Sequence, residues 1–183
     1  ELITAVRFQA RVWRPDGIVR VADIRDRPLA DPAKGATYPW APVTEATFGR
    51  LPGQVIGFGG GTGIGKSDLF ATMIDHDVRV LGIPTGVLSL GQAVADAARR
   101  IAGKAIGKPL HVPDGSWTPE ERDAAVDALT KCPLFLYDSW GAMDWDTIQA
   151  RIRYMAQVEG CRHIYLDHLT ALAAAEDDER KAL

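Results

Sequence analysis

The run Gly60-Gly61-Thr62-Gly63-Ile64-Gly65-Lys66-Ser67 fits the pattern G-x-x-x-x-G-K-[ST]. Glycine lets a backbone curl tightly, so that consecutive N–H groups point inward at an anion. In such a loop Gly60 to Gly65 cradle phosphates, Lys66 reaches the β- and γ-phosphates, and the Ser67 hydroxyl holds Mg²⁺. The implied ligand is ATP or another NTP with its Mg²⁺. A second group suits the same chemistry. His163-Ile164-Tyr165-Leu166-Asp167 is an apolar run ending in a carboxylate. At the carboxyl edge of an α/β sheet, such an Asp holds the Mg²⁺ shell beside the loop serine. Asp167 is therefore the expected metal carboxylate. Asp138, after Leu134–Tyr137, is the alternative with similar local credentials.

These groups need elements to hold them. Val55-Ile56-Gly57-Phe58 reads as a strand leading into the loop, and Leu69, Phe70, Met73, Ile74 and Val78 mark an apolar-periodic helix leading out. Strands are expected at Val87–Leu90, Leu134–Tyr137 and Ile164–Asp167, with a helix over Ala93–Ala105. Thr118-Pro119-Glu120-Glu121 opens a helix with a capping box, and Asp144 or Asp146 caps another through Ile148, Ile152 and Met155. The alternation of strand and helix predicts an α/β fold with a mostly parallel sheet flanked by helices. Residues 1–34 read as an N-terminal arm with a short helix over Glu1–Trp13, and residues 35–183 as the P-loop domain. The stretch from 18 to 52 is read as irregular, with one short strand or helix. The acidic segment Glu176–Glu179 is a further helix start.

Other polar clusters have bland readings. Asp75-His76-Asp77 is read as a solvated helix face, because neighbouring helical residues point in different directions. Arg99, Arg100, Lys104 and Lys108 read as a charged helix face rather than a DNA site. His168 reads as a polar residue at the strand mouth bonded to a neighbour. Cys132 and Cys161 lack metal-ligand spacing and are expected as reduced, buried thiols. The net charge of −3 over 183 residues makes no electrostatic case for a broad nucleic-acid surface. No apolar run is long enough to span a bilayer, so no membrane partner is expected.

With these pieces in place, the chain resembles the RecA-like ATPase domain of hexameric replicative DNA helicases of the DnaB, Twinkle and phage primase–helicase kind. The residues carrying the resemblance are GGTGIGKSDLF, GVLSLGQAVADAARRIAGK, HVPDGSWT, LFLYDSWGAMDWDTIQARIRYM, HIYLDHLTALAAA and DDERK, together with the upstream AVRFQARVWRPDGIV and YPWAPVTEATFGRLPGQVIGF. The resemblance implies a RecA-like P-loop fold and a homo-oligomeric ring, a hexamer, in which NTP hydrolysis drives single-stranded DNA through the centre. It also implies a cytoplasmic location in a bacterial or phage-infected cell. Other RecA-like ATPases, such as recombinases, are disfavoured by the LDHLTALAAA and DERK stretch.

Two departures from the family pattern matter. The family places a water-polarising Glu after the strand that follows the P-loop helix. Here Ser89-Leu90-Gly91-Gln92 puts Gly91 at that position. Loss of a general base costs roughly 10²–10⁴ in rate, so binding with impaired hydrolysis is expected. Gln92 orients water poorly if the strand's alternation continues through it. The alternative function is a non-catalytic nucleotide-binding subunit or regulator. The second departure is the ending soon after Asp167. With Glu1 in place of Met, it suggests an incomplete domain of a longer protein. The family inserts a later strand between the P-loop strand and the carboxylate strand, and without it backbone groups there are left unpaired.

Overall fold

The computed structural model describes residues 17–138 and 144–168. The helix expected at 1–13 and the acidic segment at 176–179 lie outside these residues. The chain divides into two units, Glu1–Ala33 and Lys34–Leu183. In the first, the described residues hold one 3-10 turn, Val21–Ile24, with no buried residue. Everything below concerns the second.

Its centre is a three-stranded parallel sheet of Thr85–Ser89 (β1), Leu134–Tyr137 (β2) and His163–Asp167 (β3), in the order β2-β1-β3. All of β1 is buried, as a central parallel strand covered on both faces must be. Val87 and Leu88 point to opposite faces. The Val87 face packs against Met73 and Ile74 of Lys66–Asp75 (α2) and Ile101 of Val94–Ile106 (α3). The Leu88 face packs against Ile148 and Met155 of Trp145–Gln157 (α5). Pro119–Leu129 (α4) seals a smaller cluster of Ala102, Leu110 and Ala125. A short helix, Ala41–Thr47, is α1.

Local chemistry sets the helix starts. Thr118 accepts from the Glu121 N–H at 3.3 Å, and Glu121 accepts from the Thr118 N–H at 2.9 Å, the reciprocal box expected from sequence. Asp144 caps α5, accepting from the Thr147 N–H at 2.7 Å.

Two expectations are overturned. Val55–Phe58 forms no strand, and Val55 is fully exposed. A strand needs a partner edge, and among the described residues the outer edge of β3 carries no further strand. Only Phe58 is anchored, edge-on to Phe70 at 5.7 Å.

The second correction concerns Asp75-His76-Asp77, which is no solvated face. α2 runs on into a π turn, His76–Val80. Asp75 is buried and paired with Arg79, and Asp77 is fully buried. Asp77 lies three residues past Ile74 and four past Met73, hence on the apolar stripe facing the sheet. Arg50 Nη1 donates to Asp77 Oδ2 at 2.9 Å, the Tyr165 hydroxyl donates to the same oxygen at 2.7 Å, and His163 Nδ1 lies 2.7 Å from it. Arg50 arrives through a bridge between Ala36 and Arg50 that brings Gly35 and Gly49 into backbone contact. A Cβ on Gly35 would stand 2.4 Å from the Arg50 backbone.

Burial by itself raises the Asp77 carboxyl. The bonds from His163, Arg50 and Tyr165 outweigh that and hold it below its ordinary value. Burial, then the neighbouring Asp77 charge, pushes the Tyr165 phenol strongly up. A carboxylate depressed by folding contributes stability that is complete above its unfolded pKa. That contribution is lost as pH falls through the folded value. Asp77→Asn should therefore lower stability at pH 7 by about 3–5 kcal/mol, because Arg50 loses its countercharge. The gap between wild-type and variant urea midpoints should narrow below about pH 4. A gap independent of pH would show that the Asp77 charge does not hold this junction.

Candidate functional site

The carboxyl ends of β1 and β3 coincide. Ser89 pairs with Asp167 in register, and the Leu90 N–H donates to the Asp167 carbonyl at 2.7 Å. α2 lies across this edge with its N-terminus uppermost. Ser67 Oγ donates to Asp167 Oδ2 at 2.6 Å, across a sequence separation of 100 residues. The structure thus brings together the two groups named as metal ligands. Asp138 is exposed at the end of β2, with β1 between it and β3. It is not part of this cluster.

The loop before α2 is open. Gly63 and Gly65 take the positive φ values of 81° and 94°, which a residue with a Cβ adopts only under strain. No side chain caps α2. Among the described residues, Thr62 and Gly63 form a turn, and the other backbone N–H groups from 60 to 65 make no backbone hydrogen bond. These donors and the positive end of the α2 dipole are what an anion needs at a helix N-terminus. Lys66 folds back over the loop, donating to the carbonyls of Gly60 at 2.8 Å and Gly61 at 2.7 Å. Thr62 and Ile64 are exposed, with the Ile64 side chain folded over Gly60. Loop amides, an ammonium held only by loop carbonyls and a hydroxyl–carboxylate pair are a donor set that fits a phosphate chain with a hard divalent cation.

Gly91 stands beside His168. A Cβ added there would meet His168 Nε2 at 3.4 Å, an ordinary contact, and Gly91 has no positive φ. The site therefore has room for a side chain at this position. Gln92 lines a narrow cavity together with Ser67, Ser89, Arg100 and Asp167. Sequence alternation had turned it away. The residues after Ser89 have left the strand for a turn, so the pleat no longer dictates direction. Arg100 was likewise missed as part of this edge. Its position on α3, one residue before buried Ile101, was the available signal.

No protein-family model matches the chain. Among curated proteins it is similar to the DNA helicase/primase of Enterobacteria phage T3, at 26% identity over 188 residues. The match covers 96% of this chain and 33% of that protein, so the chain spans about a third of the length of the relative. The fold itself is α/β, with a small parallel sheet flanked by helices, as the alternation of elements predicted. No helix among the described residues is long and apolar enough to cross a membrane.

The Ser67 bond is testable without any ligand. Ser67→Ala leaves Asp167 without its hydroxyl donor in a half-buried position. Stability in metal-free buffer should fall by about 1–2 kcal/mol, read by chemical denaturation. An unchanged midpoint would mean that the pair contributes nothing to the resting fold.

Proposed function

We propose that this chain is the NTP-binding part of a RecA-like replicative DNA helicase, and that it binds Mg-ATP or another Mg-NTP with impaired hydrolysis. The observation that carries the reading is the Ser67–Asp167 contact at the mouth of an uncapped, glycine-rich helix start. Similarity to a phage DNA helicase/primase over 96% of the chain supports the helicase assignment. On this reading the ring, the single-stranded DNA and the hexameric assembly belong to the larger protein of which such a domain is a part.

The residues divide the work. Amides of residues 60–67 and the Lys66 ammonium hold the terminal phosphates, and Ser67 and Asp167 hold the cation. The bound Mg²⁺ supplies charge neutralisation at the transferring phosphoryl group. Lys66 is released from the Gly60 and Gly61 carbonyls when phosphate oxygens replace them. Gly91 offers no group to polarise water. Gln92 lines the same cavity as Asp167, and on this reading it orients a water by hydrogen bonding. An amide is no base, so turnover stays low.

Two measurements decide this. Calorimetry should show uptake of Mg-ATP that Lys66→Ala weakens by at least about tenfold. Uptake that Lys66→Ala leaves unchanged would overturn the site. Gly91→Glu should raise turnover by about 10²-fold or more at nearly constant nucleotide affinity. Appreciable turnover equal in wild type and Gly91→Glu would show that Gly91 is not the missing base, whereas uptake with no turnover in either would favour the second reading, a nucleotide-binding regulator that does not hydrolyse, for which the missing carboxylate at Gly91 is the specific observation.

A further inference from the structure

A second cavity, of about 300 Å³, opens beside the loop helix, between α3 and the segment that follows it. Arg100 and Lys104 line it from α3, Lys108 and His111 from the returning chain, and Asp68 from α2. The wall is built from backbone. Gly107 ends α3 with φ of 67°, and the Lys108 N–H donates back to the Gly103 carbonyl at 3.0 Å. A Cβ on Gly103 would stand 2.2 Å from the Lys108 carbonyl oxygen, so the return is possible only over glycine. Leu110, only 1% exposed, pins the returning chain beneath.

Charge and hydrogen-bond accounting single this cavity out. Lys104 pairs with Asp68, and Lys108 with Glu121, both at 2.5 Å. Arg99 and Asp96 neutralise each other nearby. Arg100 is left with Asp68 at 3.9 Å, a carboxylate already taken by Lys104. Cations therefore exceed carboxylates around the cavity. Two buried nitrogens of its lining residues, Arg100 Nε and His111 Nδ1, have no hydrogen-bond partner among the described residues. Buried donors left without acceptors are uncommon in folded proteins and call for a ligand or water. Burial, with Arg100 and Lys104 adding to it, lowers the His111 pKa. An arriving anion offers what this ring and guanidinium lack. The same residues had read from sequence as a plain charged helix face.

We propose that the cavity lined by Arg100, Lys104, Lys108 and His111 is a second oxyanion site that takes a phosphate group, separate from the Gly60–Ser67 loop. A phosphate offers acceptor oxygens to the Arg100 Nε–H, and to His111 in the tautomer that carries its proton on Nδ1, while Lys104 and Lys108 swing from their carboxylates. The phosphate arrives either free, as on a small polyphosphate, or within a nucleic-acid backbone. Arg100 also lines the Ser67–Asp167 cavity.

The test uses inorganic pyrophosphate and an oligo-dT strand, each titrated into the isotope-labelled chain carrying Lys66→Ala to silence the loop. Saturable NMR shifts at His111 and at Gly103 to Lys108 are expected. Lys104→Gln combined with Lys108→Gln should weaken binding by about tenfold or more. Shifts with pyrophosphate identify a free phosphate. Shifts with oligo-dT alone identify a nucleic-acid backbone. Absence of shifts with both probes, or shifts confined to residues 60–67, overturns the proposal. If the double variant does not fold, the titration of the Lys66→Ala chain decides by the same shifts. Because Lys66 is already removed, failure here is distinct from failure of the nucleotide reading.

Discussion

The structure depends on one buried carboxylate. Asp77 has no solvent to hold its charge, so the fold must supply Arg50, Tyr165 and His163. Leaving such a charge unpaired costs several kcal/mol, which makes the junction close to all-or-none. Its partners come from two separate stretches of chain, β3 and the segment carrying Arg50, so satisfying Asp77 fixes the loop helix against β3 and draws in the segment before it. The opposite end of the same pair of elements carries the Ser67–Asp167 bond. From Ser67 to Asp77 a helix rises about 15 Å, and from His163 to Asp167 a strand rises about 13 Å. The two spans match, so a helix laid antiparallel on the strand closes both clamps at once. One clamp is sealed from water and structural. The other is half-buried and carries the candidate site.

That division explains the state of the loop. A loop whose amides are unpaired is unstable by itself, since each N–H would prefer a partner. It persists because it faces solvent and because the helix it feeds is held elsewhere, through Asp77 and through Met73 and Ile74 in the core. The lead-in at Val55–Phe58 shows the limit of this support. Phe58 packs on Phe70, but no strand edge reaches Val55. The carboxyl edge is ordered from the helix side and from β1, through the Leu90 bond to Asp167, rather than from the lead-in.

Much of this was legible in the residues. Within the described residues, the helices after the loop, at 94–106, 119–129 and 145–157, the three strands of the sheet, the Thr118 box and the Asp144 cap all follow from local chemistry and appear. The proximity of Ser67 and Asp167 was legible because both sit at element ends that α/β topology brings to one edge. The Asp77 junction was not read, although its pattern was present. His163, Tyr165 and Asp167 alternate, so all three share the face of β3 that meets α2. Asp77 lies on the helix stripe that meets them. Treating the polar triplet as one surface hid that. Arg50 was beyond reach, because it is delivered by a contact between Gly35 and Gly49 that no periodicity encodes. The Val55–Phe58 strand failed for the converse reason: local propensity was satisfied, but a strand exists only when another edge pairs with it.

The separation of binding from turnover follows from which groups bear structural load. Ser67 and Asp167 are bonded to each other, and Lys66 to loop carbonyls, so on the proposed reading each would change partners on nucleotide binding. Gly91 bears none of this. Its neighbour His168 leaves ordinary van der Waals room, and the turn it occupies is pinned one residue earlier at Leu90. A Cβ at 91 thus meets neither the carboxylate nor the loop. Hydrolysis is the part of the proposed activity that the fold leaves free to vary, whereas the phosphate cradle is tied to the same helix that keeps Asp77 out of water.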